Sequence, residues 1–171
     1  MILNQEQTMN YFTRIGLNYD DYKCHKLDGQ LLSELCFAHN ISIPFENLDI
    51  LNHKMISLDG SILYDKIITK HRGGLCFELN GLSEIFLRSL GFGVKDLSSR
   101  FFRDAGNDIP MQRHRLLKVE AVDGTYIWDI GIGQRSPKYP LRLAEGLVQK
   151  QCGEVYKLEK EAFYGWVLYE Y

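Results

Sequence analysis

No apolar run in this chain approaches the roughly 20 residues that a membrane-crossing helix needs, and the opening MILNQEQTMNYF lacks the basic and apolar regions of a secretory signal. The expected compartment is the cytoplasm. Charge of one sign is not in excess either: 20 Lys and Arg stand against 22 Asp and Glu, a formal net charge of −2, which gives no general attraction to nucleic acid or anionic lipid. Cysteines are few and scattered. Cys24, Cys36, Cys76 and Cys152 contain no CxxC pair, which favours reduced thiols over a disulfide framework and disfavours a metal centre. Cys24-His25 and Cys36 with His39 come nearest to a ligand pattern; Cys36 is instead expected in the core, the histidines in solvent, and Cys152 as an exposed bystander. Repeats, low-complexity tracts and flexible linkers are all lacking. What is present, 45% hydrophobic and 25% charged residues over 171 positions, is the make-up of a folded chain with enough apolar mass for a real core.

The first half carries helical periodicity. Met9, Phe12 and Ile15 recur at helix spacing before Gly16, and Asp28 can cap a second helix bearing Leu31, Leu32, Leu35 and Cys36 that ends before Pro44. IPFENLDI, Ile43–Ile50, reads as a connector. Asp59 or Ser61 starts a third helix with Ile62, Leu63, Ile67 and Ile68, broken at Gly73-Gly74, and a fourth runs from Cys76 through Leu79, Leu82, Phe86 and Leu90 to Gly91. Beyond Gly93 the pattern becomes β: VKDLSSRFFR, RLLKVEAV, TYIWDI, PKYPLRL, VYKLEK and FYGWVLYEY are strand candidates. AGNDIPMQ, Ala105–Gln112, reads as a loop. The expected plan is α+β, with a helical unit over residues 1–90 and a β unit over residues 91–171.

Cys76 opens the fourth helix, where unpaired backbone N–H groups and the positive end of the helix dipole favour an anion. A nucleophilic thiol commonly adds a histidine to such a setting. His25, His39 and His53 lie among polar neighbours, and His71 ends the run Lys70-His71-Arg72; His114 opens a strand and is followed, after Asp123-Gly124, by Asp129 on the partner strand. With Asp123-Gly124 as a two-residue turn, Val122 pairs with Thr125 and His114 and Asp129 share a face. That register nevertheless sets Asp129 opposite Lys118, about 13 Å along the strand from His114. A bulge, strong coiling or a strand bend is needed to join them. The bland alternatives are a buried small residue at a helix start, a surface histidine among arginines, and a strand ending in a turn.

Four segments in order resemble the arylamine N-acetyltransferase family. They are Ile43–Ile50, the run Arg72-Gly73-Gly74-Leu75-Cys76-Phe77-Glu78-Leu79-Asn80, His114 with Trp128-Asp129-Ile130-Gly131-Ile132-Gly133, and Pro140-Leu141-Arg142-Leu143. The resemblance implies a helical bundle followed by an antiparallel β-barrel, with a cysteine-protease-like triad of Cys76, His114 and Asp129. It implies ping-pong transfer of acetyl from acetyl-CoA, as acyl-donor substrate, to an arylamine, arylhydrazine or N-hydroxyarylamine, with no metal. Phe45, Phe101, Ile132 and Gly133 are the candidates for the acceptor pocket, a core role being the alternative for the two phenylalanines. Glu46 and Arg72 are candidates for an ion pair supporting the connector, the alternative being an Arg72 that only solvates a helix end. Glu78, two residues past the thiol, should point away from it.

Three departures from the family pattern stand out. Ile132 replaces a phenylalanine and removes an aromatic wall, Ser83 replaces another on a packing face, and the family's third domain is expected to be absent after Tyr171. Two rival readings follow: an amide synthase acting on a larger acyl chain with the same triad, and a non-catalytic remnant serving as a binding or dimerisation module. The expected partners are small molecules, with no nucleic acid and no membrane, and homo-oligomerisation is left open.

Overall fold

A computed structural model describes residues 1–102 and 109–171. Helix α1 (Gln5–Arg14) begins at a reciprocal cap, in which Asn4 Oδ1 accepts from Gln7 N at 2.8 Å and Gln7 Oε1 accepts from Asn4 N at 3.0 Å. It buries Tyr11 and Phe12, and Ile15 just beyond it, whereas Met9, expected on this face, is exposed. Asp28 caps α2 (Gly29–Ser42) through Leu31 N, and Leu31, Leu32, Leu35 and Cys36 are buried. The connector contains a short helix α3 (Leu48–Leu51). Asp59, rather than Ser61, caps α4 (Gly60–Tyr64), which widens into a π-helical turn over Asp65–Thr69. The helix that matters most, α5 (Cys76–Leu90), is closed by Gly91 at φ 103°, a left-handed cap that only glycine adopts without strain. No helix among the described residues is long and apolar enough to cross a membrane.

The β half forms two antiparallel sheets. β1 (Gly93–Ser99), β2 (His114–Ala121), β3 (Gly124–Trp128) and β4 (Leu141–Arg142) make one; β5 (Val148–Gln151), β6 (Glu154–Glu161) and β7 (Gly165–Glu170) make the other. A bridge between Glu145 and Leu158 links them, and Ile127, Leu141, Tyr156 and Leu158 form a core between them. β5 had no sequence signal, and Pro137–Leu143 contributes only two strand residues. The first strand ends at Ser99; Arg103 of its forecast span and residues 105–108 of the forecast loop lie outside the described residues.

The main core runs from α1 through α2, α4 and α5 into β1, β2 and β3 without a break at residue 90. Tyr11 stacks on Phe86 with ring centroids 3.8 Å apart, and Leu79, Leu82, Leu87, Leu117, Val119 and Trp128 are buried around them. Each such leucine contributes about 2 kcal/mol by leaving water. Their combined effect is to fix α5 against β2, the two elements that carry Cys76 and His114.

The hairpin differs from the expected one by a shift of two residues. Ala121 pairs with Gly124, so the turn is Val122-Asp123 and Gly124 belongs to β3. Tertiary contacts override the local turn preference of Asp-Gly. Asp123 Oδ1 accepts from Gly29 N at 2.9 Å, its Oδ2 accepts from Tyr126 Oη at 2.9 Å, and Val122 N donates to Leu27 O at 2.9 Å, which docks the turn onto the start of α2. Gly29 is required there, since a Cβ would come within 2.1 Å of Tyr126 Oη.

Candidate active site

The register shift removes the obstacle to a His–Asp contact. Continuing the observed ladder places Asp129 beside Leu116 rather than Lys118, two residues from His114 and about 6.6 Å along the strand instead of 13 Å. β3 ends at Trp128, so Asp129 is free of the ladder and turns back toward the ring. His114 Nε2 and Asp129 Oδ2 are 2.6 Å apart, both side chains nearly fully buried. The second carboxylate oxygen, Oδ1, accepts from Asn80 Nδ2 at 3.1 Å and from Gly131 N at 2.9 Å. A carboxylate so supplied with donors is held as an acceptor for the imidazole.

Cys76 is the first residue of α5 and is partly exposed. With Nε2 of His114 committed to Asp129, Nδ1 is the nitrogen left for the sulfur. Burial opposes charge on the ring, but the hydrogen bond and charge of Asp129, joined by Cys76, outweigh it and raise the His114 pKa to about 9. The ring is a cation at neutral pH. Gly131 closes this corner: a Cβ there would lie 2.7 Å from both Cys76 Cα and Asn80 Nδ2, so only glycine lets the loop after Asp129 rest on the start of the helix.

Asn80, to which reading the sequence gave no role, ties Asp129 to α5. It lies one turn beyond Cys76 on the same face of α5, and besides Asp129 it holds Arg115 O at 2.7 Å and accepts from Ile130 N at 3.3 Å. The spacing of four from the thiol was the available signal.

A chain of alternating charges lies beneath. Arg72 donates to Glu46 Oε1 from Nε at 3.0 Å and from Nη2 at 2.6 Å, and reaches Asp49 Oδ1 at 3.2 Å; Lys66 bridges Asp49 Oδ2 and Glu78 Oε1, both at 2.7 Å. Glu78 then turns its other oxygen back to Leu75 N at 3.0 Å, so it supports the helix start rather than facing the thiol. Asp49 and Lys66 were not singled out from the sequence. The connector also runs beside the glycines: Phe45 bridges Gly74, Glu46 N donates to Gly74 O at 3.0 Å, and a Cβ on Gly73 would collide with Pro44 O at 1.9 Å.

The four candidate acceptor residues are placed unequally. Phe101 lies beside His114, ring centroids 4.8 Å apart, and is 41% exposed. Phe45 is 43% exposed and borders Gly133, whose φ is 71°. Ile132 is half-buried, its amide held by Ser136 Oγ at 2.9 Å. Of the remaining thiols, Cys24 and Cys152 are exposed, and burial, with the charge of Asp129, pushes the Cys36 thiol far up. His39, expected in solvent, is buried instead. Its Nδ1 is 3.0 Å from Tyr11 Oη, which also reaches Ser83 Oγ at 3.3 Å, so the serine in place of an aromatic belongs to a buried polar cluster.

Comparison with known proteins places this arrangement. A family model described as N-acetyltransferase matches residues 28–170. The chain belongs to the arylamine N-acetyltransferase family. It is 41% identical over 139 residues to an arylamine N-acetyltransferase / N-hydroxyarylamine O-acetyltransferase of Salmonella typhimurium, a match covering 81% of this chain and 49% of that protein. A solved structure of an arylamine N-acetyltransferase from Salmonella typhimurium superposes with a TM-score of 0.88 at 36% identity, covering all of this chain and 60% of the other. The Mycobacterium marinum arylamine N-acetyltransferase in complex with CoA superposes with a TM-score of 0.82 at 35% identity, covering 94% of this chain and 59% of the other. The chain spans about half the length of the curated relatives it matches. Helices followed by antiparallel sheets are thus the arylamine N-acetyltransferase fold, and the matched span includes Cys76, His114 and Asp129.

Proposed function

We propose that the protein transfers an acetyl group from acetyl-CoA to an arylamine, arylhydrazine or N-hydroxyarylamine through an acetyl-Cys76 intermediate. The observation that carries this reading is the buried 2.6 Å contact between His114 Nε2 and Asp129, which keeps the imidazole charged beside Cys76 at a helix start. In this reading residues 1–90 supply the nucleophile and residues 91–171 supply the imidazole and carboxylate.

At rest the proton of Cys76 already sits on His114 Nδ1, and the thiolate of this ion pair attacks the acetyl carbonyl of acetyl-CoA. Cys76 opens α5, so the positive end of the helix dipole favours the oxygen that gains charge. As the carbonyl re-forms, the bond to the CoA sulfur breaks and His114 returns the proton to that sulfur. The acceptor nitrogen or oxygen then attacks acetyl-Cys76, His114 takes its proton, and Cys76 leaves as thiolate, restoring the ion pair. Asp129 holds the ring in the tautomer and orientation these transfers need. Phe101, Phe45, Ile132 and Gly133 form the surroundings of the acceptor, and Arg72 with Glu46 holds the connector in place. Ile132 makes this wall aliphatic, which favours acceptors that do not depend on stacking at that point.

The test is transfer from acetyl-CoA to an aromatic hydrazine, with mass spectrometry of the Cys76 peptide after incubation with donor alone. Acetylation of that peptide, parallel double-reciprocal plots, and loss of both in Cys76→Ser are the expected results. A chain that is acylated only by larger acyl donors is an amide synthase instead. A chain that no thioester acylates is a binding module.

A further inference from the structure

Arg115 follows His114 directly and takes no part in the chemistry just described, yet it makes more contacts to α5 than any step of that chemistry uses. Its Nη2 is 2.6 Å from Glu84 Oε2 and its Nη1 is 3.3 Å from Phe77 O, while its own carbonyl accepts from Asn80 Nδ2 at 2.7 Å. From β1, Asp96 holds the Nε–Nη2 edge of the guanidinium, with Oδ1 to Nε and Oδ2 to Nη2 both at 2.6 Å. Residues 77, 80, 81 and 84 form one stripe along α5, at the three- and four-residue spacing that puts side chains on one face.

Gly81 explains itself in this light. Glycine is disfavoured in a helix interior relative to alanine. Here it sits in the middle of a fifteen-residue helix, and a Cβ at that point would stand 2.5 Å from Arg115 Nη1. The missing side chain is the groove through which the arginine crosses the helix.

We propose that Arg115 is a positioning residue that sets the separation of Cys76 and His114. It grips α5 one residue after the thiol and β2 one residue after the imidazole, so the distance between the two reacting groups is held by a planar, multiply bonded fork. The inference rests on the reading of Cys76 as an activated thiol. Proton transfer falls off steeply once donor and acceptor leave hydrogen-bond reach, so a loosened grip uncouples the pair without touching either member.

The experiment compares iodoacetamide alkylation at pH 6.5 and pH 10 in the wild-type chain, Arg115→Lys and Gly81→Ala, read at the Cys76 peptide because Cys24 and Cys152 are also exposed. Circular dichroism confirms folding. Arg115→Lys keeps the charge but loses the fork. Gly81→Ala keeps the arginine, favours the helix and displaces Nη1, so it decides the question if the lysine variant fails to fold. Both variants are expected to react about tenfold more slowly than wild type at pH 6.5, where ionisation of a thiol depends on its partner, and within about twofold of wild type at pH 10, where thiols are ionised regardless. A wild-type rate at pH 6.5 in the folded variants overturns the proposal, as does an equal change at both pH values, which reports access rather than positioning. A wild-type Cys76 no faster at pH 6.5 than Cys24 overturns the activated-thiol reading itself, before either variant is considered.

Discussion

Asp129→Asn removes one charge from the buried corner and almost nothing from its shape. Oδ1 of Asp129 accepts from Asn80 Nδ2 and Gly131 N, so in the variant the amide oxygen must take that place and the amide nitrogen must face the ring. A donor there requires His114 Nε2 to become an acceptor. The ring proton then moves to Nδ1, the nitrogen directed at Cys76, and the ring can no longer accept the thiol's proton. Charge loss acts in the same direction. Burial already works against the imidazolium and is outweighed mainly by Asp129, so without the carboxylate the pKa falls from about 9 to 6.5 or below. That is a drop of about 2.5 pH units, or about 3 kcal/mol at about 1.36 kcal/mol per unit. At pH 7.5 the ring passes from roughly 97% charged to roughly 10%.

Two assays read this change. Histidine carbon-13 NMR follows the His114 titration, assigned by its loss in His114→Gln, and is expected to show a midpoint lower by about 2 pH units or more. Alkylation of Cys76 at pH 7 is expected to fall by about a hundredfold, while the thermal melt stays within a few degrees of wild type. A folded Asp129→Asn protein whose ring still titrates near pH 9, or whose Cys76 keeps its rate, refutes the assignment of the carboxylate as the source of the imidazolium.

Burial pushes His39 down to about 3, with Arg14 adding to the effect, so the folded chain holds this ring neutral while the unfolded chain protonates it below about pH 6.5. Its contribution to stability is therefore complete above pH 6.5 and lost toward pH 3, about 2 kcal/mol of it by pH 5; urea midpoints should show this loss in wild type and a smaller one in His39→Gln. Lys66→Met leaves the nearly buried Glu78 and its neighbour Asp49 without their shared cation and should cost about 3 kcal/mol in chemical denaturation. Adding Glu78→Gln should recover part of that loss, and a single variant within about 0.5 kcal/mol of wild type contradicts the network's role. Gly131→Ala puts a methyl 2.7 Å from Cys76 Cα, so it should destabilise the chain by about 1–3 kcal/mol and reduce acetyl transfer by more than about a hundredfold. Turnover above about a tenth of wild type would show that the loop after Asp129 need not rest on the helix.

Signals confined to a few neighbouring residues were legible in the sequence. Asp28 and Asp59 cap helices where a short polar side chain precedes an apolar stripe, and Gly91 ends α5 where the stripe stops. Cys76 at a helix start followed from the spacing of Leu79, Leu82, Phe86 and Leu90 before Gly91. Less legible was anything decided by a distant partner. Tyr11 rather than Met9 fills the core because Phe86 offers a ring to stack on, 75 positions away. His39 is buried among polar neighbours in sequence because Tyr11 and Ser83 supply it with hydroxyl groups in space. Lys66 and Asp49 look like ordinary surface charges until the π-helical turn and the connector bring them to Glu78 and Arg72.

The hairpin register is the sharpest case, because local and tertiary preferences there give opposite answers about the chemistry. Asp-Gly favours a turn centred on itself, and that turn leaves His114 and Asp129 on one face but about 13 Å apart. Docking of Asp123 on Gly29 and Tyr126, together with Val122 on Leu27, costs the hairpin its preferred turn and moves the partner strand by two residues. Two is the smallest shift that preserves the face, since a shift of one turns every side chain over. The contact between α2 and the hairpin therefore acts on the catalytic geometry from the far end of β2. Asp123→Ala, which removes both side-chain bonds, should free the turn from the start of α2, loosen the observed register and lengthen the His114 to Asp129 separation. Fluctuation at the hairpin is then expected to appear as faster amide exchange at Val122 and a lowered His114 pKa in the same variant. An Asp123→Ala protein with wild-type His114 titration would show that the register is held by the core residues of β3 and not by its turn.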